Sequence, residues 1–304
     1  MEKLFSCKGL TKILNGFTLK DISFDLEAGS VLGVVGRNGS GKTTMLRCLL
    51  GSYRTDQNEG EGGDIVLDGR HYVRDVKDYR KDIAYVMQSV PYATTMKAAQ
   101  VGEMYGYFYR GFDQDKYKEL LKKYEIPKDQ TIAVFSEGQK MRMQFAFAQS
   151  YEAKLYIMDE PVGNLDVEFR DSVYDMIREL TAGEEKAVIL SSHLVTELER
   201  IADKLLWIRK KGDASRVSYL GSMDDLKEQY RLLSTGLDKE GLKKAGISEE
   251  MIAGYRLRSS HNEYLLWDSK GKIEKSLSAE LVKDIRYADL NEIMYYVEKE
   301  EDDE

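Results

Sequence analysis

Cysteine is nearly missing from this 304-residue chain: Cys7 and Cys48 are the only two, far apart and without metal-ligand spacing. That excludes a disulfide-stapled scaffold and a cysteine-ligated zinc site, and it favours a reducing compartment in which both are ordinary buried residues. Basic residues are in the minority as well, 45 Lys and Arg against 53 Asp and Glu, for a formal charge of -8. An acidic chain has no electrostatic reason to hold nucleic acid nonspecifically, so no nucleic-acid partner is expected. No apolar run approaches the roughly 20 residues that cross a bilayer, and Met1-Glu2-Lys3-Leu4-Phe5 begins no signal-peptide hydrophobic region. Internal repeats and long coiled-coil stretches are absent too. What remains is a chain with 42% apolar residues, long enough for a large domain with a smaller one attached.

The most informative stretch present is Gly36-Arg37-Asn38-Gly39-Ser40-Gly41-Lys42-Thr43-Thr44. It follows Val31-Leu32-Gly33-Val34-Val35, short and β-branched as a strand buried on both faces should be. It precedes Met45 to Leu50, which reads as an amphipathic helix closed by Gly51. The spacing G-x-x-x-x-G-K-[ST] between a strand and a helix is that of a phosphate-binding loop. Glycines let the backbone curl with its N–H groups inward. Lys42 then meets the terminal phosphates and Thr43 offers a hydroxyl to Mg²⁺, while the helix start carries about half a positive charge. A bland glycine-rich turn is the alternative, and the strand-loop-helix context weighs against it.

Further strands are expected within residues 1–30, with Ile22 to Leu26 the clearest, and at Asp64 to Leu67 and Ile83 to Val86. From about Lys97 to Gln149 the period becomes helical, including Tyr117 to Tyr124 and Gln139 to Gln149. Beyond it, strand-like and helix-like segments alternate: Leu155 to Met158, Val167 to Leu180, Ala187 to Leu190, Leu194 to Ala202 and Leu205 to Ile208. Such alternation marks a parallel α/β sheet. From about Met223 the character shifts to charged helices and a hairpin, Tyr255 to Ser259 with Glu263 to Asp268, followed by a last helix capped by Asp289 and Glu292. The acidic tail Glu298 to Glu304 reads as a solvated, frayed end.

Two more groups carry chemistry. Leu155 to Pro161 is an apolar strand that delivers Asp159 and Glu160 at its carboxyl end, where open α/β sheets bind ligands. Asp159 suits Mg²⁺, a hard cation that wants oxygen. Glu160 suits deprotonation of an attacking water. Read alone, the pair is only a strand ending in an acidic turn. The second group, Phe135-Ser136-Glu137-Gly138-Gln139-Lys140, precedes a helix that Ser136 can cap, and it forms another anion-binding helix start.

With these on the page, the chain resembles the nucleotide-binding subunit of an ATP-binding cassette (ABC) transporter, nearest to the two-gene exporters of peptide, drug or lipid. The phosphate loop, Gln88, Ser136 to Gln139, Asp159-Glu160, Gly163-Asn164-Leu165-Asp166 and Ser192-His193 stand in the family's order over about residues 1–220. The resemblance implies an α/β P-loop NTPase at 1–222, with a RecA-like, mostly parallel sheet core, an antiparallel β subdomain and an α-helical subdomain at about 89–150. A small α+β appendage would occupy 223–304. It also implies an ATPase using ATP and Mg²⁺. Two such domains, in a homodimer or a heterodimer, would clamp each ATP between one phosphate loop and the other copy's Ser136, Gly138 and Gln139. Gln88 would touch Mg²⁺ and the water, Asp166 would cross the interface, and His193 would contact the γ-phosphate. The partner would be a separate transmembrane permease subunit, with this chain peripheral on the cytoplasmic face of the cell membrane. The aromatic stretch Tyr92 to Phe112 would divide between core packing and a groove for that partner.

The chain departs from the family's pattern in two places. Glu137 stands where the family usually has glycine, setting a carboxylate near the second ATP. Ile13 occupies the place of the adenine-stacking aromatic, with Phe17 as candidate substitute. Two other classes stay open: a soluble ABC ATPase acting as a scaffold or nucleic-acid-associated switch, and a nucleotide-gated module that hardly hydrolyses. The acidic balance and the lone cassette weigh against the first, and the presence of both Glu160 and His193 against the second.

Overall fold

The computed structural model describes residues 3–56, 64–163, 165–268 and 284–299. Asn164 and the tail from residue 300, both named above, lie outside the described residues. The chain divides into two units, Met1–Leu220 and Gly221–Glu304.

The first unit is organised by a ten-stranded sheet in the order β5-β4-β1-β2-β10-β9-β3-β8-β7-β6. Its parallel core has β3 (Val31–Val35), β6 (Ile83–Val86), β7 (Leu155–Asp159), β8 (Ala187–Ser191) and β9 (Lys204–Lys211). Every residue of β3, β7 and β8 is buried. Burial of both faces explains why they read as continuous apolar runs rather than alternations. One flank is antiparallel: β1 (Lys3–Leu14), β2 (Phe17–Glu27), β4 (Asp64–Leu67) and β5 (Arg70–His71). Asn15-Gly16 makes the β1–β2 turn, with Gly16 at φ 73°, the dihedral that a tight hairpin demands of one residue.

The two halves are one sheet. β10 (Ala214–Ser222) runs parallel to β2 over Ala214↔Thr18 and Ser215↔Leu19, and on its other side neighbours β9. Neither β10 nor this seam is expected from the local pattern. The helices are α1 (Lys42–Leu49), α2 (Val76–Lys81), α3 (Ala98–Tyr105), α4 (Gln114–Lys123), α5 (Glu137–Ala148), α6 (Val167–Ala182) and α7 (Val195–Leu198). The last is shorter than the expected Leu194 to Ala202: turns succeed it from Glu199.

Helices α3 to α5 gather around Phe147, which is 2% exposed. Its ring centroid lies 5.1 to 5.8 Å from those of Tyr92, Tyr109, Phe112, Tyr117 and Tyr151. Tyr107 and Phe108 stay outside, 90% and 62% exposed. The aromatic stretch therefore divides between packing and surface.

The second unit has α8 (Met223–Glu228), β11 (Tyr230–Thr235), α9 (Lys239–Lys244), β12 (Ile252–Leu257), β13 (Asn262–Trp267), β14 (Ile285–Tyr287) and α10 (Leu290–Lys299). Its sheet, ordered β12-β13-β11-β14, is antiparallel. Leu233, Tyr264 and Leu266 form a small core with Leu242 and Ile247. The hairpin overlaps the expected segments but begins earlier, at Ile252 rather than Tyr255 and at Asn262 rather than Glu263, whereas β11 and β14 are additions to the sequence reading. α10 has its capping box: Glu292 N–H donates to Asp289 Oδ1 at 2.8 Å, and Asp289 N–H to Glu292 Oε2 at 3.0 Å.

Candidate functional site

Three parallel strands deliver the site because their carboxyl ends point the same way. β3 feeds the phosphate loop, β8 ends in Ser191 ahead of Ser192-His193, and β7 ends in Asp159 ahead of Glu160. Register aligns them: Val34 pairs with Ser191, and Ser191 with Asp159. The next strand out continues the row, since Val86 pairs with Met158. Two residues on, Gln88 leaves β6 at the level where Glu160 leaves β7, and it is exposed.

The loop is built for contact with backbone rather than side chains. A Cβ on Gly36 would stand 2.3 Å from the Ile208 carbonyl oxygen, and one on Gly41 would stand 2.6 Å from Phe17 Cζ. Gly39, at φ 82°, has open space instead. Lys42 Nζ crosses the loop and donates to Gly36 O at 2.6 Å and Arg37 O at 3.4 Å. The Ser40 hydroxyl is buried within the loop and has no hydrogen-bond partner among the described residues. A buried hydroxyl without a partner is costly, and here it fits a loop made to surround an oxyanion. Asn38 is exposed, while Thr43 and Thr44 are half-buried at the start of α1.

Asp159, 1% exposed, joins the loop to the carboxylates. Thr43 Oγ1 donates to its Oδ2 at 2.8 Å and Ser191 Oγ to its Oδ1 at 2.6 Å. Ser191 Oγ in turn accepts from Glu160 N–H at 3.1 Å. Glu160 holds φ 51°, a left-handed conformation that costs a side-chain-bearing residue about 1–2 kcal/mol. That turn aims its carboxylate at His193, with Nδ1 2.6 Å from Oε2. The network thus runs from Thr43 through Asp159 and Ser191 to Glu160 and His193. Ser191 is the member that sequence reasoning missed: the expected strand stops at Leu190, one residue short of it. A polar residue closing the apolar run Val188-Ile189-Leu190 was the available signal.

Ser136 and Gln139 bond to each other, with Gly138 between them in α5. Gln139 N–H donates to Ser136 Oγ at 3.2 Å and Ser136 N–H to Gln139 Oε1 at 3.0 Å, a capping box at the start of α5. The Glu137 carboxylate does not face this helix tip unanswered, because Lys140 Nζ lies 2.7 Å away. Asp166 caps α6, accepting from Phe169 N–H at 3.0 Å, and is paired with Arg142. The Phe169 amide and the Arg142 guanidinium hold its carboxyl below the usual range. Ile13 is 58% exposed, whereas Phe17 lies edge-on to Gly41 in the loop.

The oxygen donors of Thr43 and Asp159 suit a hard cation. Among the described residues, no group of three or more His, Cys, Asp or Glu could hold a metal ion.

A second concave surface, about 1060 Å³, opens between α1, α2 and the aromatic stretch. Arg47, Lys77, Arg80 and Lys81 line it beside Phe108 and Tyr109, and no carboxylate is among its described lining residues.

Comparison with known proteins agrees with this architecture. Residues 19–163 match the family model described as ABC transporter. The chain is 26% identical over 238 residues, 78% of either chain, to the ABC transporter ATP-binding protein YtrB of Bacillus subtilis. It is 29% identical over 242 residues, 73% of either chain, to a putative peptide import ATP-binding protein of Brucella ovis. The solved dimer of the ATP-binding cassette MJ0796, in a post-hydrolysis state bound to ADP and Pi, superposes with a TM-score of 0.61 at 20% identity. That match covers 72% of this chain and 98% of the other.

Proposed function

We propose, this chain being an ATP-binding and ATP-hydrolysing member of the ABC transporter family, that it powers a separate transmembrane subunit from the cytoplasmic face of the membrane. The hydrogen-bonded series Thr43–Asp159–Ser191–Glu160–His193 is the observation that carries the reading. It joins the phosphate loop to a carboxylate and an imidazole, which is what phosphoanhydride hydrolysis requires.

In this reading the N–H groups from Gly36 to Thr44, with Lys42 and the Ser40 hydroxyl, hold the phosphates. Thr43, Asp159 and Gln88 would hold Mg²⁺, whose charge would neutralise the phosphate oxygens. Glu160 Oε takes the proton of a water that attacks the γ-phosphorus as the bond to the ADP oxygen breaks. Residue His193 holds Glu160 through Nδ1 and presents the opposite edge of its ring to the γ-phosphate. Phe17, against Gly41, is placed to meet the base. A second copy or a paralogue supplies Ser136, Gly138 and Gln139 to complete the site, with Asp166 at the seam, as the dimeric form of the MJ0796 cassette supports. Among the described residues no helix is long and apolar enough to cross a membrane, and in this reading the permease is a separate chain. The basic, aromatic groove suits an acidic amphipathic segment of that permease by charge complementarity.

Export is the direction that the resemblance to the two-gene exporters implies. Against it stands the peptide-import relative, and uptake and efflux assays in membrane vesicles decide between the two.

Glu160→Gln tests the mechanism. Turnover should fall at least about 100-fold, the scale of a lost general base, while ATP stays bound and a dimer accumulates on size exclusion. Unchanged turnover would remove Glu160 from the reaction. Failure to fractionate with membranes when natively expressed would remove the transport role.

A further inference from the structure

Gln144 is the odd residue of its helix. It stands between Met143 and Phe145 in the buried part of α5 and is itself 1% exposed. An apolar side chain would pack there without any desolvation cost, so a buried amide is explained by what it holds. It holds one residue: Met87 N–H donates to Gln144 Oε1 at 3.0 Å, and Gln144 Nε2 donates to Met87 O at 2.9 Å. Paired N–H and C=O bonds of this kind are what an antiparallel neighbour strand would make. β6, which ends one residue earlier, is the outermost strand of its sheet. The amide therefore stands in for a missing strand at the point where β6 gives way to Gln88.

We propose that Gln144 is a positioning residue for hydrolysis, clamping the Met87 backbone so that Gln88 departs toward the phosphates from a set point. This rests on the role given to Gln88 above. The clamp also ties that point to a rigid lever. Ser136 caps α5 eight residues before Gln144, about 12 Å along the axis at 1.5 Å per residue. A tilt of the helix whose tip meets the second ATP therefore carries Met87 with it. Engagement of the partner copy and placement of Gln88 become one movement. No separate sensor is needed.

A double-mutant cycle between Gln144→Leu and Gln88→Ala tests this. Gln144→Leu keeps the volume and removes both bonds. It should lower kcat about tenfold while KM for ATP and nucleotide affinity in EDTA stay within about threefold, a split that separates misplacement of Gln88 from loss of the fold. In the Gln88→Ala background it should cost nothing further. Multiplicative losses in the double variant, or an unchanged kcat in Gln144→Leu, would overturn the proposal while leaving the role of Gln88 intact. An unchanged kcat in Gln88→Ala would overturn both, without touching the tests on Glu160. Should Gln144→Leu fail to fold, Gln144→Glu, which keeps the acceptor for Met87 N–H, is read in the same cycle.

Discussion

Gly36 and Gly39 are both glycines of the phosphate loop, yet different physics demands each. At Gly36 any Cβ collides with a main-chain carbonyl, Ile208 O at 2.3 Å, which cannot swing aside as a side chain could. At Gly39 nothing lies within 4 Å and only the positive φ penalises a larger residue. Gly36→Ala should therefore cost roughly 3 kcal/mol or more, and Gly39→Ala about 1–2 kcal/mol. At about 2–4 °C per kcal/mol for a domain of this size, thermal unfolding would separate the two. Equal shifts would contradict the close approach to Ile208. Both glycines, with Lys42 and the Asp159-Glu160 pair, were legible because their chemistry is written in adjacent residues. Ser191 and Gln144 were not, since each acts on a residue dozens of positions away.

Among the elements, the sheet of the second unit depends on its carboxylates. Burial alone would raise the Glu263 carboxyl, but hydrogen bonds from Tyr296, Arg258 and His261 outweigh it and hold the group below its ordinary 4.5. Arg286 does the same for Glu292 at the start of α10. A carboxyl depressed in the folded state contributes stability that is fully present above its unfolded pKa. That contribution is lost as pH falls through the folded value. Amide protection over residues 252–267, corrected for intrinsic exchange, should thus decline as pH drops below about 4.5. Glu263→Gln should flatten the decline, and a variant that tracks the wild type would exclude Glu263 as its source. Strands β10, β11 and β14 escaped the sequence reading for a related reason. β11 and β14 pair with strands dozens of residues away, and β10 is held by β2 as well as by the neighbouring β9.

For the molecule as a whole, every proposed site residue lies between Phe17 and His193, inside the first unit, which has its own apolar core. A fragment of residues 1–222 should accordingly fold alone and bind ATP with an affinity within about threefold of the full chain, a free-energy difference under about 1 kcal/mol. Calorimetric titration of both measures this. A larger loss would show that residues beyond 222 complete the nucleotide site. The division of labour would then be a phosphate machine in the first unit and a role other than ATP binding for the second.

The sequence by itself determined the phosphate loop, the paired carboxylates, the helix caps at Ser136 and Asp289, and the strands buried on both faces. Each of these depends on residues within a few positions of one another, where backbone geometry and periodicity decide the outcome. Only the tertiary structure decided that β10 would join two half-sheets, that Ser191 would stand between Asp159 and Glu160, and that an amide from α5 would complete the edge of β6. Those facts depend on strand register and packing between segments far apart in the chain. Local propensity does not encode such pairings, because the free energy that selects them is released only when the whole core closes.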